Sequence, residues 1–276
     1  MLKQRIITAL VLSAVIICSL AFLPYHGFAA LLLAAWAIAA WEWADLSGLS
    51  AIMRYVYAAS STALLLLLLV YCGIPDSIDT AKLLLLMQAA AAFWLLALVM
   101  VVSFPASVVV WSSKTVRAFM GYCVLLPSAT ALLYVLTLDN GKWYFVYTVL
   151  IVASADIGAY FTGRAWGKRK LIPKVSPGKS WAGFWGGAVS CATLAAIVAW
   201  QFSPVGFSIG LWILATAVAG LVSVLGDLFE SMLKRHRGIK DSSQLLPGHG
   251  GFMDRIDSVT AAAPVFVLLL LLLKAG

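Results

Sequence analysis

Acidic side chains lie between the last two long apolar stretches of the chain, at a spacing that could support metal chemistry. Asp227, Glu230 and Lys234 stand three and four residues apart, so a helix that continues through them carries them on one face. Asp254 and Asp257 stand three residues apart at the start of the next stretch, where a helix N-terminus favours anions. Because Mg²⁺ takes oxygen ligands, the two carboxylate clusters together would suit an oxygen-liganded Mg²⁺.

The loop between the two clusters is basic and rich in glycine. It contains Lys240, Asp241 and the run Gly248-His249-Gly250-Gly251. Cations would bind phosphate oxygens, and a Gly-Gly pair allows backbone N–H groups to approach a ligand closely. A metal ion, cations and backbone donors together favour phosphoryl or nucleotidyl transfer, where positioning and charge neutralisation do most of the catalysis.

The composition indicates a membrane protein. Of 276 residues, 63% are hydrophobic and 11% are charged, whereas soluble domains are about half apolar and a quarter charged. This excludes a disordered chain, a disulfide-rich secreted scaffold and nearly all soluble enzymes. The net charge of +8 would also suit a nucleic-acid binder, but the apolar runs leave no room for one, so no nucleic-acid partner is expected.

Nine apolar runs approach the roughly 20 residues that cross a bilayer as a helix. They are Ile6–Leu23, Phe28–Ala44, Tyr55–Cys72, Leu83–Val102, Phe119–Leu138, Trp143–Thr162, Trp181–Trp200, Phe207–Leu225 and Val259–Leu273. Placing the N-terminus in the cytoplasm puts 16 of the 19 Lys and Arg on the cytoplasmic side, as the positive-inside rule requires. We therefore predict an all-α polytopic membrane protein with about nine transmembrane helices and a cytoplasmic N-terminus.

Charge is concentrated in two segments, residues 156–180 and 227–257, which hold 17 of the 30 charged side chains. Both fall on the predicted cytoplasmic side, so the polar catalytic face belongs to the C-terminal half. We predict one membrane-embedded domain over residues 1–276, with spanning helices in 1–142 and the catalytic helices and loops in 143–276. Glu42 and Asp45, in the first half, are expected to cap a helix or form ion pairs at the inner interface.

The run from Ser231 to Asp257 resembles the signature of CDP-diacylglycerol synthases, also called phosphatidate cytidylyltransferases. That signature begins at a Ser, continues through Lys-Arg and Lys-Asp, and ends in His-Gly-Gly-x-x-Asp-Arg-x-Asp, and this chain matches every fixed position. Segments 156–164, 176–183 and 226–230 also resemble the family. The likeness is densest from about residue 143 to 276 and looser in the N-terminal spans, including Trp41-Glu42-Trp43.

The resemblance implies the reaction CTP + phosphatidate → CDP-diacylglycerol + pyrophosphate, with Mg²⁺, at the cytoplasmic face of a bacterial inner membrane. The acids matching Asp227 and Asp254 form the family's metal centre, and Asp257 is a further candidate ligand. A potassium ion beside the Mg²⁺ and a homodimer are also implied. The partners expected are CTP, phosphatidate and the lipid bilayer.

The chemistry divides the remaining candidates by role. The phosphate of phosphatidate is ionised near neutral pH, so no strong general base is needed, and His249 is expected to position substrate or to shape the loop. The catalytic candidates are Asp227, Lys234, Arg235, Lys240, Asp241, His249, Asp254, Arg255 and Asp257. The substrate-binding candidates are Asp156, Arg164, Ser176, Lys179, Ser180, Ser231, Gly250 and Gly251. Lys179 would hold either nucleotide or lipid phosphate, and Asp156 would orient Arg164 or another basic residue, or form a structural ion pair.

Two other functions are alternatives for a membrane protein with these residues. A lipid phosphotransferase that uses a CDP-alcohol carries an Asp-Gly-x-x-Ala-Arg motif, which this chain lacks. A transporter of phosphorylated substrates needs polar residues near the middle of the membrane and two related halves, and neither is evident here. Gly183 and Gly187 form a GxxxG pattern that predicts close helix packing rather than catalysis.

Overall fold

Long apolar helices make up nearly the whole chain, as the hydrophobic runs predict. The computed structural model describes residues 2–202 and 208–275. The helices are α1 (Leu2–Phe22), α2 (Tyr25–Leu46), α3 (Ala51–Cys72), α4 (Thr80–Val102), α5 (Val108–Trp111), α6 (Lys114–Val135), α7 (Gly141–Trp166), α8 (Trp181–Phe202), α9 (Ile209–Arg237) and α10 (Met253–Ala275). The all-α polytopic class is confirmed.

Eight helices in the described part of the chain, α2–α4 and α6–α10, are long and apolar enough to cross a membrane. The first predicted span, Ile6–Leu23, falls on α1, of which Leu10–Phe22 is described as an apolar stretch, and its crossing of the membrane stays a prediction. The eighth predicted span starts at Phe207, which lies outside the described residues, and its helix is described from Ile209. The cytoplasmic N-terminus stays a prediction.

A two-stranded hairpin between α7 and α8 departs from the predicted all-helical pattern. Strands β1 (Lys170–Ile172) and β2 (Ser176–Ser180) pair antiparallel, with Lys170 opposite Ser180 and Ile172 opposite Ser176. The sequence gives little strand signal here because the segment is short and basic and contains two prolines. The hairpin carries Lys179 back towards α9.

Helix α9 runs well beyond its predicted apolar end at Leu225. It continues to Arg237 and ends at Gly238, whose φ of 69° is a left-handed conformation that glycine adopts without strain. The extension confirms the expected helix through the acidic cluster. As a result, Asp227 and Lys234 are held on a rigid element rather than on a loop.

Two sets of packing contacts position the site. Helix α10 is largely buried against α9, α6, α4 and α7. Helices α7 and α8 meet at the GxxxG pattern, where a Cβ at Gly183 or Gly187 would lie 2.9 Å from the carbonyl oxygen of Ala159 or Ala155. The glycines therefore allow close packing, as predicted. Helices α3, α4 and α8 leave large apolar side chains exposed, as lipid-facing helices do.

Candidate active site

A polar cavity of about 340 Å³ lies where α7, α9, α10 and the loop before α10 meet. Seven of the predicted site residues and the unpredicted Ser258 line it. They are Asp156, Asp227, Lys234, Asp241, Asp254, Arg255, Asp257 and Ser258. Segments that are distant in sequence therefore place five aspartates and two cations around one space, which we call the acid cavity.

Helix α9 presents its predicted face to this cavity. The Ser231 hydroxyl donates to Asp227 Oδ1 at 3.1 Å, one turn away. The Lys234 Nζ lies 2.6 Å from Glu230 Oε2 and 2.7 Å from Asp254 Oδ1. Because the Glu230 side chain is only 1% exposed, its charge depends on Lys234 for compensation. Lys234 thus joins the acids of α9 to those of α10.

The start of α10 is held by the carboxylate of Asp254. Its Oδ2 accepts from the backbone N–H of Gly251 at 2.7 Å and from that of Ser242 at 3.0 Å. Gly250 has a φ of 89°, and a Cβ there would lie 2.8 Å from Asp254 Oδ2. The glycine therefore lets the backbone pass close to this carboxylate. Gly250 and Gly251 are therefore needed for the shape of the loop around Asp254.

Asp257 lies one turn further along α10 and is buried. Its Oδ1 accepts from the N–H of Ser258 at 2.6 Å. A Cβ at Gly226 would collide with the backbone carbonyl of Asp257. Gly226 thus lets α9 and α10 approach closely at the level of Asp227 and Asp257, which places both acids on the same cavity.

The hairpin supplies one further cation to the acids. Lys179 Nζ, from β2, lies 2.7 Å from Asp227 Oδ2 and 3.4 Å from the carbonyl oxygen of Val224. Ser180, which follows it, is buried, and its hydroxyl accepts from the N–H of Gly183 at 3.2 Å. Ser180 therefore caps the start of α8, while the half-buried Ser176 lies at the other end of β2.

The other predicted cations lie outside the lining of the acid cavity. Arg235 is exposed, and its Nε donates to the Val175 carbonyl at 3.2 Å, which ties α9 to the hairpin. Lys240 is exposed in the loop after α9. Arg164 is exposed and donates to the hydroxyl of Tyr160 at 3.1 Å. No ion pair between Arg164 and Asp156 is present in the described part of the chain, so Asp156 does not orient Arg164.

His249 lies beside the cavity in the glycine-rich loop. Its backbone carbonyl accepts from Arg255 Nη2 at 2.8 Å. Its ring Nδ1 is buried and has no hydrogen-bond partner among the described residues. The main chain of His249 thus positions Arg255, and its ring nitrogen is left for a donor or acceptor from outside the chain.

An acidic cap from the N-terminal half gives Glu42 the expected capping role, with a partner that the sequence does not identify. Glu42, on α2, is fully buried, and it accepts from the backbone N–H groups of Phe252 and Met253 at 2.9 and 2.5 Å. The hydroxyls of Ser242 and Ser243 also donate to it. An acid inside an apolar span is a signal of a buried partner, but nothing local identifies that partner. Asp45, three residues later, pairs with Arg54 at 3.2 Å, as expected.

Comparison with known proteins identifies the family of this chain. A family model described as the cytidylyltransferase family matches residues 3–273. The chain belongs to the cytidylyltransferase family. A phosphatidate cytidylyltransferase of Pseudomonas aeruginosa is 44% identical over 270 residues, which cover 98% of this chain and 97% of the relative. One of Haemophilus influenzae is 40% identical and covers 96% of this chain and 97% of the relative.

A third similar protein matches a smaller share of this cytidylyltransferase chain. A phosphatidate cytidylyltransferase of Staphylococcus epidermidis is 44% identical over 135 residues, 49% of this chain and 52% of the relative. That match extends over only half of the chain, whereas the first two extend over nearly all of it.

The donor set of this cytidylyltransferase fits a hard divalent cation. Five aspartates line the acid cavity, and carboxylate oxygens are the ligands that Mg²⁺ prefers. Across residues 2–202 and 208–275, no three His, Cys, Asp or Glu side chains already converge as a metal site. Asp227 and Asp254 instead pair with Lys179 and Lys234. The residues therefore suit Mg²⁺, with lysines offsetting the acidic charge.

Proposed function

We propose that this protein transfers the CMP group of CTP to the phosphate of phosphatidate, giving CDP-diacylglycerol and pyrophosphate. A phosphate oxygen of the lipid forms a bond to the α-phosphorus of CTP, and the bond from that phosphorus to the β-phosphate oxygen breaks. One observation carries the proposal: Lys179 pairs with Asp227, which lines the acid cavity, and donates to the carbonyl of Val224, which lines an apolar cavity. The names of the full-length relatives support it.

The acid cavity is the proposed place of the nucleotide. Asp227, Asp254 and Asp257 would hold Mg²⁺, and a potassium ion is proposed beside it. The bound ion would neutralise charge on the triphosphate and polarise its oxygens. Lys234 holds Asp254 in place through its 2.7 Å contact. Arg255 lines the cavity, and its guanidinium can bind two phosphate oxygens at once.

Residues beyond the cavity wall complete the proposed nucleotide site. Arg235, in the last turn of α9, and Lys240, in the loop that follows, are exposed and would attract the triphosphate. His249 is proposed to position a phosphate oxygen through its ring, because the nucleophile needs no base. Ser231 holds Asp227 through a hydrogen bond of 3.1 Å. The chain's own contribution to the reaction is therefore to orient two anionic groups and to offset their charge.

The apolar cavity is the proposed place of the lipid chains. It has a volume of about 650 Å³ and lies between α4, α8, α9 and the hairpin. Its lining includes Leu98, Trp181, Phe184, Val222 and Leu228. Acyl chains are compatible with such a lining, because burying each methylene contributes about 0.8 kcal/mol.

The contacts of Lys179 support a position for the lipid phosphate. Val224 lines the apolar cavity, and its carbonyl accepts from Lys179. The same ammonium group pairs with Asp227, which lines the acid cavity. A phosphate at Lys179 would therefore have its acyl chains on one side and the nucleotide on the other. We assign Lys179 to the lipid phosphate, the choice that its sequence position left open.

The cellular setting is part of the proposal. We place the protein in a bacterial inner membrane with the acid cavity facing the cytoplasm, where CTP is available. The distribution of Lys and Arg supports that orientation. A homodimer is proposed from the family resemblance.

Detergent-purified protein, phosphatidate, Mg²⁺ and CTP labelled in the cytosine test the function. Label should enter a chloroform-soluble lipid, and CTP labelled in the γ-phosphate should release pyrophosphate. Diacylglycerol replaces phosphatidate in the control, because it lacks the attacking phosphate. Release of free CMP without a labelled lipid, or equal labelling with diacylglycerol, would contradict the proposal.

A further inference from the structure

Glu42 belongs to a helix cap assembled from two distant parts of the chain. Asp254 accepts from the N–H of Gly251, three residues earlier. In a capping box, this bond is matched by a second one, from the side chain of the earlier residue to the backbone of the helix's first turn. Gly251 has no side chain to make it. Glu42 takes that place and accepts from the N–H groups of Phe252 and Met253.

The glycine is what makes room for this carboxylate. A Cβ at Gly251 would collide with the Ser242 hydroxyl and lie 2.9 Å from Glu42 Oε1. A serine or threonine cap at position 251 would therefore exclude Glu42. The glycine-rich loop and α2 fit together at this point, although 209 residues separate Gly251 from Glu42 in the chain.

Ser242 connects the two carboxylates. Its backbone N–H donates to Asp254 Oδ2 at 3.0 Å, while its hydroxyl donates to Glu42 Oε2 at 3.3 Å. Ser243 adds a second hydroxyl to Glu42. Glu42 thus receives four hydrogen bonds from the segments on both sides of the glycine-rich loop. Bonds of this kind to an ionised carboxylate are shorter and stronger than neutral ones.

We propose that Glu42 is a positioning residue, which fixes the carboxylate of Asp254 for metal binding. The inference rests on the proposed assignment of Asp254 to the metal site. Glu42 acts through the backbone of residues 252 and 253 and through Ser242, since each of these bonds restrains the first turn of α10. Glu42 itself is fully buried and does not line the acid cavity. Groups that orient a metal ligand in this way typically change metal affinity or activity 10–100-fold when removed.

The test compares Glu42→Gln with Asp45→Asn on the same helix. The first change keeps the size of the side chain but turns an acceptor into an N–H donor that faces the N–H groups of α10. The second makes the same chemical change at a partly exposed ion pair. Binding of Mn²⁺ by each purified protein is measured by electron paramagnetic resonance, without nucleotide or lipid, together with thermal unfolding and with kcat and KM for CTP.

We expect Glu42→Gln to weaken Mn²⁺ binding about tenfold and to lower kcat, while Asp45→Asn matches the wild type. A folded Glu42→Gln protein with wild-type Mn²⁺ affinity and kcat would overturn the inference, even if its unfolding temperature falls. If Glu42→Gln does not fold, the double variant Ser242→Ala/Ser243→Ala decides, because it removes two of the four hydrogen bonds that hold the Glu42 carboxylate at the start of α10 and should therefore also weaken Mn²⁺ binding. Unchanged Mn²⁺ affinity in that variant would overturn the inference.

Different experimental results would overturn the role of Glu42 and the proposed function. Wild-type protein that binds Mn²⁺ but makes no labelled lipid would refute the function and leave the role of Glu42 standing. Wild-type protein that binds no Mn²⁺ would overturn both the metal site and the role of Glu42.

Discussion

Lys179 and Asp227 form an ion pair of 2.7 Å between strand β2 and helix α9, 48 residues apart in the chain. The lysine side chain is 21% exposed and the aspartate side chain 34% exposed, so neither is fully buried, and Asp227 lines the acid cavity. The pair therefore marks a point where a bound anion could replace one partner. Which substrate supplies that anion can be measured.

Lys179→Met should raise the KM for phosphatidate and leave the KM for CTP within about twofold. A hydrogen bond to a charged group contributes about 1.5–3 kcal/mol, equivalent to about a 10–100-fold change in affinity. Lys168→Met, an exposed lysine before the hairpin, is the control. A rise in the KM for CTP alone would assign Lys179 to the nucleotide instead.

Val222→Trp should reduce kcat/KM for long-chain phosphatidate about tenfold, because the indole fills part of the apolar cavity. Excluding two methylenes from this surface costs about 1.6 kcal/mol, enough for that effect. Leu214→Trp is the matched control, on the same helix but 58% exposed and outside the cavity lining. The discriminating measurement is chain length: a dioctanoyl substrate should lose less activity than a dioleoyl one. Equal losses of activity with the two substrates would show that the acyl chains do not bind in this cavity.

Lys234→Met should destabilise the fold, because it leaves two buried acids without their cation. The side chains of Glu230 and Asp254 are 1% and 4% exposed, and breaking such a pair costs about 3–5 kcal/mol. Lys82→Met breaks the exposed pair with Asp79, whose side chains are 43% and 38% exposed, and should cost less than about 1 kcal/mol. Thermal unfolding in detergent checks both. Equal stability of the two variants would show that Lys234 does not compensate buried charge.

Asp254→Asn should retain the fold and lose activity by about 100-fold or more. The amide has nearly the same shape and keeps one oxygen for the N–H groups of Gly251 and Ser242, but it is a much poorer ligand for Mg²⁺. A loss of about 2.7 kcal/mol in transition-state stabilisation corresponds to that factor. Asp139→Asn, an exposed loop acid, is the control. Near-normal turnover by Asp254→Asn would show that Asp254 is not a ligand in the proposed metal site.

Gly251→Ala should lower stability by about 1–3 kcal/mol, the usual effect of forcing an extra carbon into a packed site. The new methyl would collide with Ser242 Oγ and press on Glu42. Gly210→Ala, where a Cβ meets none of the described atoms within 4 Å, should be tolerated. Chemical or thermal unfolding of the two variants measures the difference in their stability. Indistinguishable stabilities would mean that the loop relaxes without cost.

The fold was largely predictable because its signals are local. Runs of apolar residues place the helices, and the spacing of Asp227, Glu230 and Lys234 predicts their shared face without any tertiary information. The ends were less predictable, since α9 extends a further 12 residues past Leu225 as a mixed polar helix. The hairpin was missed because strands of three and five residues, the longer one with a proline, carry almost no periodic signal.

The candidate site was predictable as a set of residues but not as a set of contacts. The acids of α9 and α10 share one cavity, as the motif spacing suggested. The pairing of Lys179 with Asp227 depends on the hairpin, and that of Glu42 with the start of α10 depends on how α2 packs. Both contacts join segments far apart in sequence, where residue type alone indicates a buried partner without identifying it.

The cap that Glu42 provides has a consequence for dividing the chain. Residues 143–276 hold the acid cavity, but they are not an autonomous module. A fragment that starts at residue 143 would lose the acceptor for the N–H groups of Phe252 and Met253, and it would expose the faces of α10 that α4 and α6 cover. The first half of the chain therefore completes the packing of the second half. Split at residue 142, the two pieces should restore activity only when produced together.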